Sequence, residues 1–142
     1  LLEESLSEIV AQLDIARVDL KLAAGLPKNL PVSRRAFEII LWELLQNCKK
    51  FHPQQAPEVH MKVRQQEQKT ILELIDDGVT LSPEQLRNAF LPYYQGERTF
   101  TGQIPGMGLG LTMVRQMLWE VGGECQIQNR RDTQGVILEM RL

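Results

Sequence analysis

Long hydrophobic runs are missing from this chain: nothing in it approaches the roughly 18 consecutive apolar residues that a membrane span needs, and no signal-peptide pattern is present. Direct membrane contact is therefore not expected of these residues, and a cytoplasmic setting is. An excess of positive charge is missing as well. With 16 Lys+Arg against 18 Asp+Glu the formal net charge is -2, and no basic block stands out, so there is no electrostatic footprint for nucleic acid. Cysteine is scarce, and Cys48 and Cys125 lie far apart in apolar-patterned segments, which excludes a disulfide framework or thiolate metal site and predicts reduced core thiols. Internal repeats and low-complexity segments are absent. What is left is the composition of one ordinary folded domain spanning residues 1–142. Because it opens on Leu1 rather than on methionine, it is expected to be a fragment of a longer polypeptide.

Leu2, Leu6, Ile9, Val10 and Leu13 recur at helical spacing and predict an amphipathic helix of about three turns. From Arg17 to Leu22 the period becomes two, with Val18, Leu20 and Leu22 against Arg17, Asp19 and Lys21, a strand buried on one face. A loop follows over residues 23–31, and Ser33 is placed to cap a long helix. In that helix Phe37, Ile40, Leu41, Leu44, Leu45, Cys48 and Phe51 keep a 3.6-residue period until Pro53 stops it. Val59, Met61 and Val63 alternate with His60, Lys62 and Arg64, a polar turn spans Gln65 to Gln68, and Ile71 to Ile75 is nearly continuous apolar sequence, so a hairpin is expected with its second strand deeply buried. Ser82-Pro83-Glu84 opens a short helix reaching Phe90. After a final helix stopped by Gly122-Gly123, residues 125–129 and 136–142 alternate as two strands. Helices segregated from about five strands predict an α+β fold, a two-layer sandwich whose mixed, largely antiparallel sheet is covered on one face by helices.

Three stations along this framework carry chemistry. In Pro105-Gly106-Met107-Gly108-Leu109-Gly110-Leu111-Thr112, alternating glycines run into a helix with Leu111, Val114, Met117, Leu118 and Val121 on one stripe. Backbone N–H groups exposed by glycine, backed by a helix N-terminus, suit a phosphate, although such glycines also mark turns and close packing. Asp76-Asp77-Gly78 ends the buried strand, where a carboxylate can accept from a ligand at the sheet edge or can simply form an acidic turn. Glu43, Asn47 and Lys50 share one helical face beside Phe51, either as an exposed polar stripe or as one wall of a pocket. Between Gln95 and Pro105, Phe100 and Ile104 are almost the only apolar anchors, so this stretch is expected to be a mobile lid. His52 closes the long helix and His60 faces outward from a strand, and both read as surface histidines rather than phosphoacceptors.

In this order the stations resemble the ATP-binding catalytic domain of sensor histidine kinases, within the GHKL ATPase superfamily. Glu43-Leu-Leu-Gln-Asn47-Cys-Lys-Lys50-Phe51 looks like the family's N box, Asp76-Asp-Gly78 like its first glycine box, Phe90-Leu-Pro92-Tyr93 like its F box, and Gly106-Met-Gly108-Leu-Gly110-Leu111 like its second. The resemblance implies that Asn47 holds Mg²⁺ on the nucleotide phosphates. Lys50 would meet a phosphate as a point charge and Phe51 would pack on the nucleotide, while Asp76 would accept from the adenine amino group and so select ATP over GTP. Gly78, Gly106, Met107, Gly108, Leu109, Gly110 and Leu111 would complete the nucleotide site.

The implied activity is transfer of the γ-phosphoryl group of Mg-ATP to a histidine on a dimerisation hairpin upstream of this chain, with a response regulator as the partner of the full-length kinase. The isolated domain is then expected to be a monomer that binds ATP or ADP without labelling itself, and the parent a homodimer that can be membrane-anchored. Three departures stand against the family pattern. Thr80 replaces the second glycine of the first box, Gln95 stands where many members carry arginine, leaving Arg98 as the substitute, and Glu43 stands where many kinases have asparagine. In the superfamily's hydrolases, such as gyrase, a glutamate there activates water, whereas in a kinase it would help orient the acceptor histidine; the alternative is an ATP hydrolase using Glu43 as base, or a degenerate module that binds nucleotide only to signal.

Overall fold

The computed structural model describes residues 2–27, 29–91 and 110–142. Its elements run α1 (Leu2–Leu13), β1 (Arg17–Leu22), α2 (Arg34–Lys50), β2 (Glu58–Gln66), β3 (Lys69–Asp76), α3 (Pro83–Asn88), α4 (Gly110–Glu120), β4 (Glu124–Asn129) and β5 (Val136–Arg141). The five strands form one sheet in the order β1-β2-β3-β5-β4. β1 lies parallel to β2 and every other pair is antiparallel, giving the mixed sheet the sequence predicts.

Local signals account for the boundaries. Ser33 Oγ accepts from Ala36 N and caps α2. Ser82 and Gln85 form a reciprocal capping box at α3, which ends at Asn88, before Phe90. At the end of α4, Gly123 N donates to Leu118 O and Gly122 N to Trp119 O, with Gly122 at φ 77, the paired bonds of a Schellman stop. The β2–β3 turn is tighter than the polar stretch suggests. Both strands extend to leave Glu67 (φ 49) and Gln68 (φ 68) as the two central residues, a turn whose twist matches the flanking strands.

One face of the sheet carries the core. Val59, Met61, Val63, Leu72, Leu74, Leu138 and Met140 pack against Phe37, Ile40, Leu41, Leu44 and Leu45 of α2 and Val114 and Leu118 of α4. Burying such a side chain contributes about 1.5–3 kcal/mol, so this layer dominates the stability of the domain. α1 joins it through Leu6 and Ile9, and Lys49 Nζ donates to Leu13 O to cap the carbonyl end of α1. β3 is buried on its other face too: Ile71 lies between its cross-strand partners Arg64 and Arg141, and Ile75 between His60 and Ile137.

Candidate functional site

Where β3 runs out, Leu72, Leu74 and Asp76 follow one another on the helix-facing side of the sheet, so the carboxylate of Asp76 continues a row of core side chains and is only 5% exposed. A buried carboxylate needs partners, and the backbone supplies them. Asp76 Oδ1 accepts from Gly78 N at 3.0 Å and from Val136 N at 3.2 Å, which leaves its second oxygen for other donors. Burial, followed by the nearby Asp76 carboxylate, pushes the Cys48 thiol well above its ordinary range. Burial raises Cys125 to about 12, and both cysteines are free, as the sequence predicts.

Beside Asp76 opens a cavity of about 390 Å³, within the range of small-molecule sites. Asn47, Cys48, Lys50 and Phe51 from α2, Asp76 and Gly78 from the β3 turn, and Leu111 from α4 all line it. Leu44, Leu74, Ile127, Val136 and Leu138 supply an apolar floor, and Val79, Leu81, Gln85 and Ala89 a further wall. Phe51 is 44% exposed at the rim, with Lys50 Nζ 5.3 Å from its ring centroid.

Glu43 is not part of the lining. It faces the first turn of α4, where a Cβ added to Gly110 would lie 2.5 Å from Glu43 Oε2 and 3.9 Å from Asn47 Nδ2. The positive end of the α4 dipole thus meets the Glu43 carboxylate and Asn47, which favours negative charge at this point. Thr112 Oγ1 donates to Phe90 O at 2.8 Å and ties the start of α4 to the end of the α3 segment. The expected lid from Gln95 to Pro105, the Pro92 and Tyr93 positions of the F box, Arg98, and the site residues Gly106, Met107, Gly108 and Leu109 lie outside the described residues.

Several groups that shape the site escape a reading of motifs. Arg130 donates from its guanidinium to Asp76 O at 3.0 Å while paired with Asp132, whose carboxyl that hydrogen bond holds below its usual range. Gly135, at φ 130, comes so close that an added Cβ would lie 2.1 Å from Asp76 O. The Arg-Gly turn between β4 and β5 thus packs on the Asp76 peptide, and an arginine two residues before a turn aspartate and five before a glycine offers no signal of that by itself. His52 corrects an expectation. It is 9% exposed rather than a surface residue, because its ring turns inward to cap the loop after α2 and to meet Asp77 Oδ1 at 3.2 Å. His60 does sit at the surface, between Asp19 and Glu58.

An open sheet with helices on one face and a cavity where the central strand ends is a two-layer α/β sandwich with a ligand-sized site at the sheet edge. The chain belongs to the histidine kinase-, DNA gyrase B- and HSP90-like ATPase family, whose model matches residues 33–142. Among curated relatives, the autoinducer 2 sensor kinase/phosphatase LuxQ of Vibrio parahaemolyticus is 29% identical over 96 residues, covering 65% of this chain and 11% of that protein. The aerobic respiration control sensor protein ArcB of Escherichia coli K12 is 28% identical over 130 residues, 90% of this chain and 16% of its own length. This chain therefore spans only a small part of the relatives it matches. Among solved structures, the mycobacterial sensor histidine kinase MprB superposes with a TM-score of 0.76 at 18% identity, over 99% of this chain and 91% of that one. Full-length ShkA in complex with AMPPNP gives 0.74 at 20% identity, over 97% and 27%. At those identities the match establishes the shared fold.

Proposed function

We propose that this domain binds Mg-ATP and presents its γ-phosphoryl group to a histidine on a helical hairpin elsewhere in the parent protein, as the catalytic module of a two-component sensor kinase. The observation that carries the reading is the cavity lined jointly by Asn47, Lys50, Phe51, Asp76, Gly78 and Leu111. Its apolar floor suits a planar base. The free oxygen of Asp76 accepts from the adenine amino group, a donor that guanine lacks at that position. At the other end Lys50 and the N-terminal turn of α4 offer positive charge to phosphates. The nucleotide analogue bound to ShkA, a relative in fold, supports the same occupant here.

Asn47 fits the metal role by the chemistry of its side chain, an amide oxygen beside the phosphate end. Among the described residues no group of three His, Cys, Asp or Glu side chains is able to hold a metal ion. Mg²⁺ keeps phosphate oxygens and water as most of its ligands, so a single amide oxygen is a sufficient protein contribution. Asn47 would hold the ion, which would supply neutralisation of the phosphate charge. The protein's part is positioning: with the base held by Asp76, the phosphates extend toward Asn47 and α4, and an acceptor histidine must arrive in line.

A test is direct. Calorimetry should detect ADP binding in the presence of Mg²⁺, the chain alone should gain no acid-labile phosphate from ATP, and adding the parent's hairpin should restore labelling of a hairpin histidine, dependent on Asn47. Absence of heat at millimolar ADP overturns the reading. One observation supports a second reading as a hydrolase: the Glu43 carboxylate stands beside Gly110 and Asn47, where it is placed to activate water. Steady ATP turnover by the chain alone, lost in Glu43→Gln with ADP affinity unchanged, decides for it.

A further inference from the structure

His52 has no part in the chemistry above, yet its side chain is only 8% exposed and closely held. Its Nδ1 accepts from Gln54 N at 3.1 Å and from Ala56 N at 3.3 Å. A ring nitrogen that accepts carries no proton, so the neutral imidazole has its hydrogen on Nε2. That nitrogen lies 3.2 Å from Asp77 Oδ1, an oxygen that also accepts from Glu58 N at 2.9 Å. The backbone completes the knot, with His52 N donating to Lys49 O and Gln55 N to His52 O.

The two segments joined here both line the cavity. His52 follows directly on α2, whose last turns supply Asn47, Lys50 and Phe51. Asp77 follows directly on β3, and its side chain points to His52 and Glu58 while that of Asp76 points to the cavity and to Val136. Since the planar peptide between Asp76 and Asp77 moves as a unit, whatever holds Asp77 also sets the position of Asp76 relative to α2. We propose that His52 is a positioning residue: its Nε2–H···Oδ1 bond to Asp77 fixes the span between the base-reading carboxylate and the phosphate-side residues of α2. The proposal rests on the reading of the cavity as a nucleotide site.

A merely structural histidine would lower stability and take affinity down with it. A positioning histidine separates the two. His52→Asn keeps an acceptor where Nδ1 stood, for the N–H groups of Gln54 and Ala56, but is too short to reach Asp77. His52→Gln reaches Asp77 with an amide N–H and gives up the loop acceptor. The experiment measures denaturant unfolding of each full chain and, by calorimetry with Mg²⁺, its affinity for ADP and for adenosine, which engages the base end alone.

His52→Asn is expected to stay near wild-type stability while its ADP affinity falls about tenfold, as the loss of one hydrogen bond to a charged group implies. Its adenosine affinity should be little changed. His52→Gln should show the reverse, lower stability with most of the ADP affinity recovered, and Asp77→Ala should add no further ADP loss to His52→Asn. ADP affinity that tracks stability across the variants, or equal losses for ADP and adenosine, overturns the positioning role while leaving the nucleotide site standing. Failure of the wild-type chain to bind ADP overturns both.

Discussion

The side-chain amide of Asn129 bonds both polar groups of a single residue, Leu81: Nδ2 donates to its carbonyl at 2.8 Å and Oδ1 accepts from its N–H at 2.9 Å. The last residue of β4 thus acts on Leu81 as a neighbouring strand would, and holds the segment between Gly78 and α3 against the sheet. Both positions need an amide. Asn129→Asp keeps the acceptor and turns the donor into a second oxygen facing a carbonyl, so it should cost about 1–3 kcal/mol in denaturant unfolding, no less than Asn129→Ala. Because Leu81 also lines the cavity, ADP affinity should fall in both variants. Unchanged stability in Asn129→Asp would show that the segment does not depend on this amide.

The backbone role of Asp76 and its proposed role toward the base can be separated by one substitution. Asp76→Ala removes the acceptor for Gly78 N and Val136 N together with the oxygen turned to the cavity, so a loss of ADP binding would be confounded with unfolding. Asp76→Asn can retain an acceptor for the two backbone donors and place an N–H toward the base. We expect stability within about 1 kcal/mol of wild type, and ADP binding weaker by roughly 1–3 kcal/mol, with preference over GDP reduced. Equal losses for ADP and GDP in this variant would remove Asp76 from base selection.

Two glycines near the site should respond differently to alanine. At Gly135 the new Cβ would strike the backbone carbonyl of Asp76 at 2.1 Å with φ at 130, and neither can be relieved without moving a strand. Gly135→Ala should destabilise the chain by about 3 kcal/mol or more by denaturant unfolding. At Gly110, among the described residues, the new Cβ is crowded by the end of the flexible Glu43 side chain at 2.5 Å, with Asn47 Nδ2 at an ordinary 3.9 Å. Gly110→Ala should therefore cost little stability, and Glu43→Ala should relieve what it does cost. A double-mutant cycle without coupling would contradict this contact.

Alkaline pH should loosen the domain through its thiols. Both have ionisation raised in the folded state, Cys125 to about 12 and Cys48 upward by burial and by Asp76, whereas an unfolded cysteine ionises near ~8.5. Between those limits the folded chain holds protons that the unfolded chain has released, so stability is full below about pH 8.5 and declines as pH rises. Cys48→Ala combined with Cys125→Ala should flatten that decline in urea midpoints measured from pH 7 to 10. In the native chain Cys48 should resist iodoacetamide until unfolding exposes it.

Much of this was legible in the sequence because the signals are local. The period-two run at Arg17–Leu22 is β1 residue for residue, Ser33 caps α2, and Gly122 stops α4. Within the site, Asn47, Lys50 and Phe51 are within one turn of one another on a single helix, so spacing alone places them together. The rest depends on residues brought in from far along the chain. Nothing adjacent to Asn129, Arg130 or Gly135 indicates that they close around Asp76 and Leu81, since that follows from the pairing of β5 with β3. His52 was misplaced for the same reason: a histidine before proline at a helix end reads as exposed until Asp77 is seen beside it.

The hydrogen bond from Val136 N to Asp76 Oδ1 joins residues 60 positions apart, and it bears on how the domain assembles. α2 and the β2–β3 hairpin are contiguous and can associate through local contacts, but the loop to β5 must close before Asp76 gains its second backbone donor, and that closure is the slower, entropically costly step. A half-formed chain would hold the α2 residues and β3 together with the carboxylate still unset. Ligand affinity is thus a property of the complete sheet, so saturating nucleotide should protect the amides of β5 as strongly as those lining the cavity.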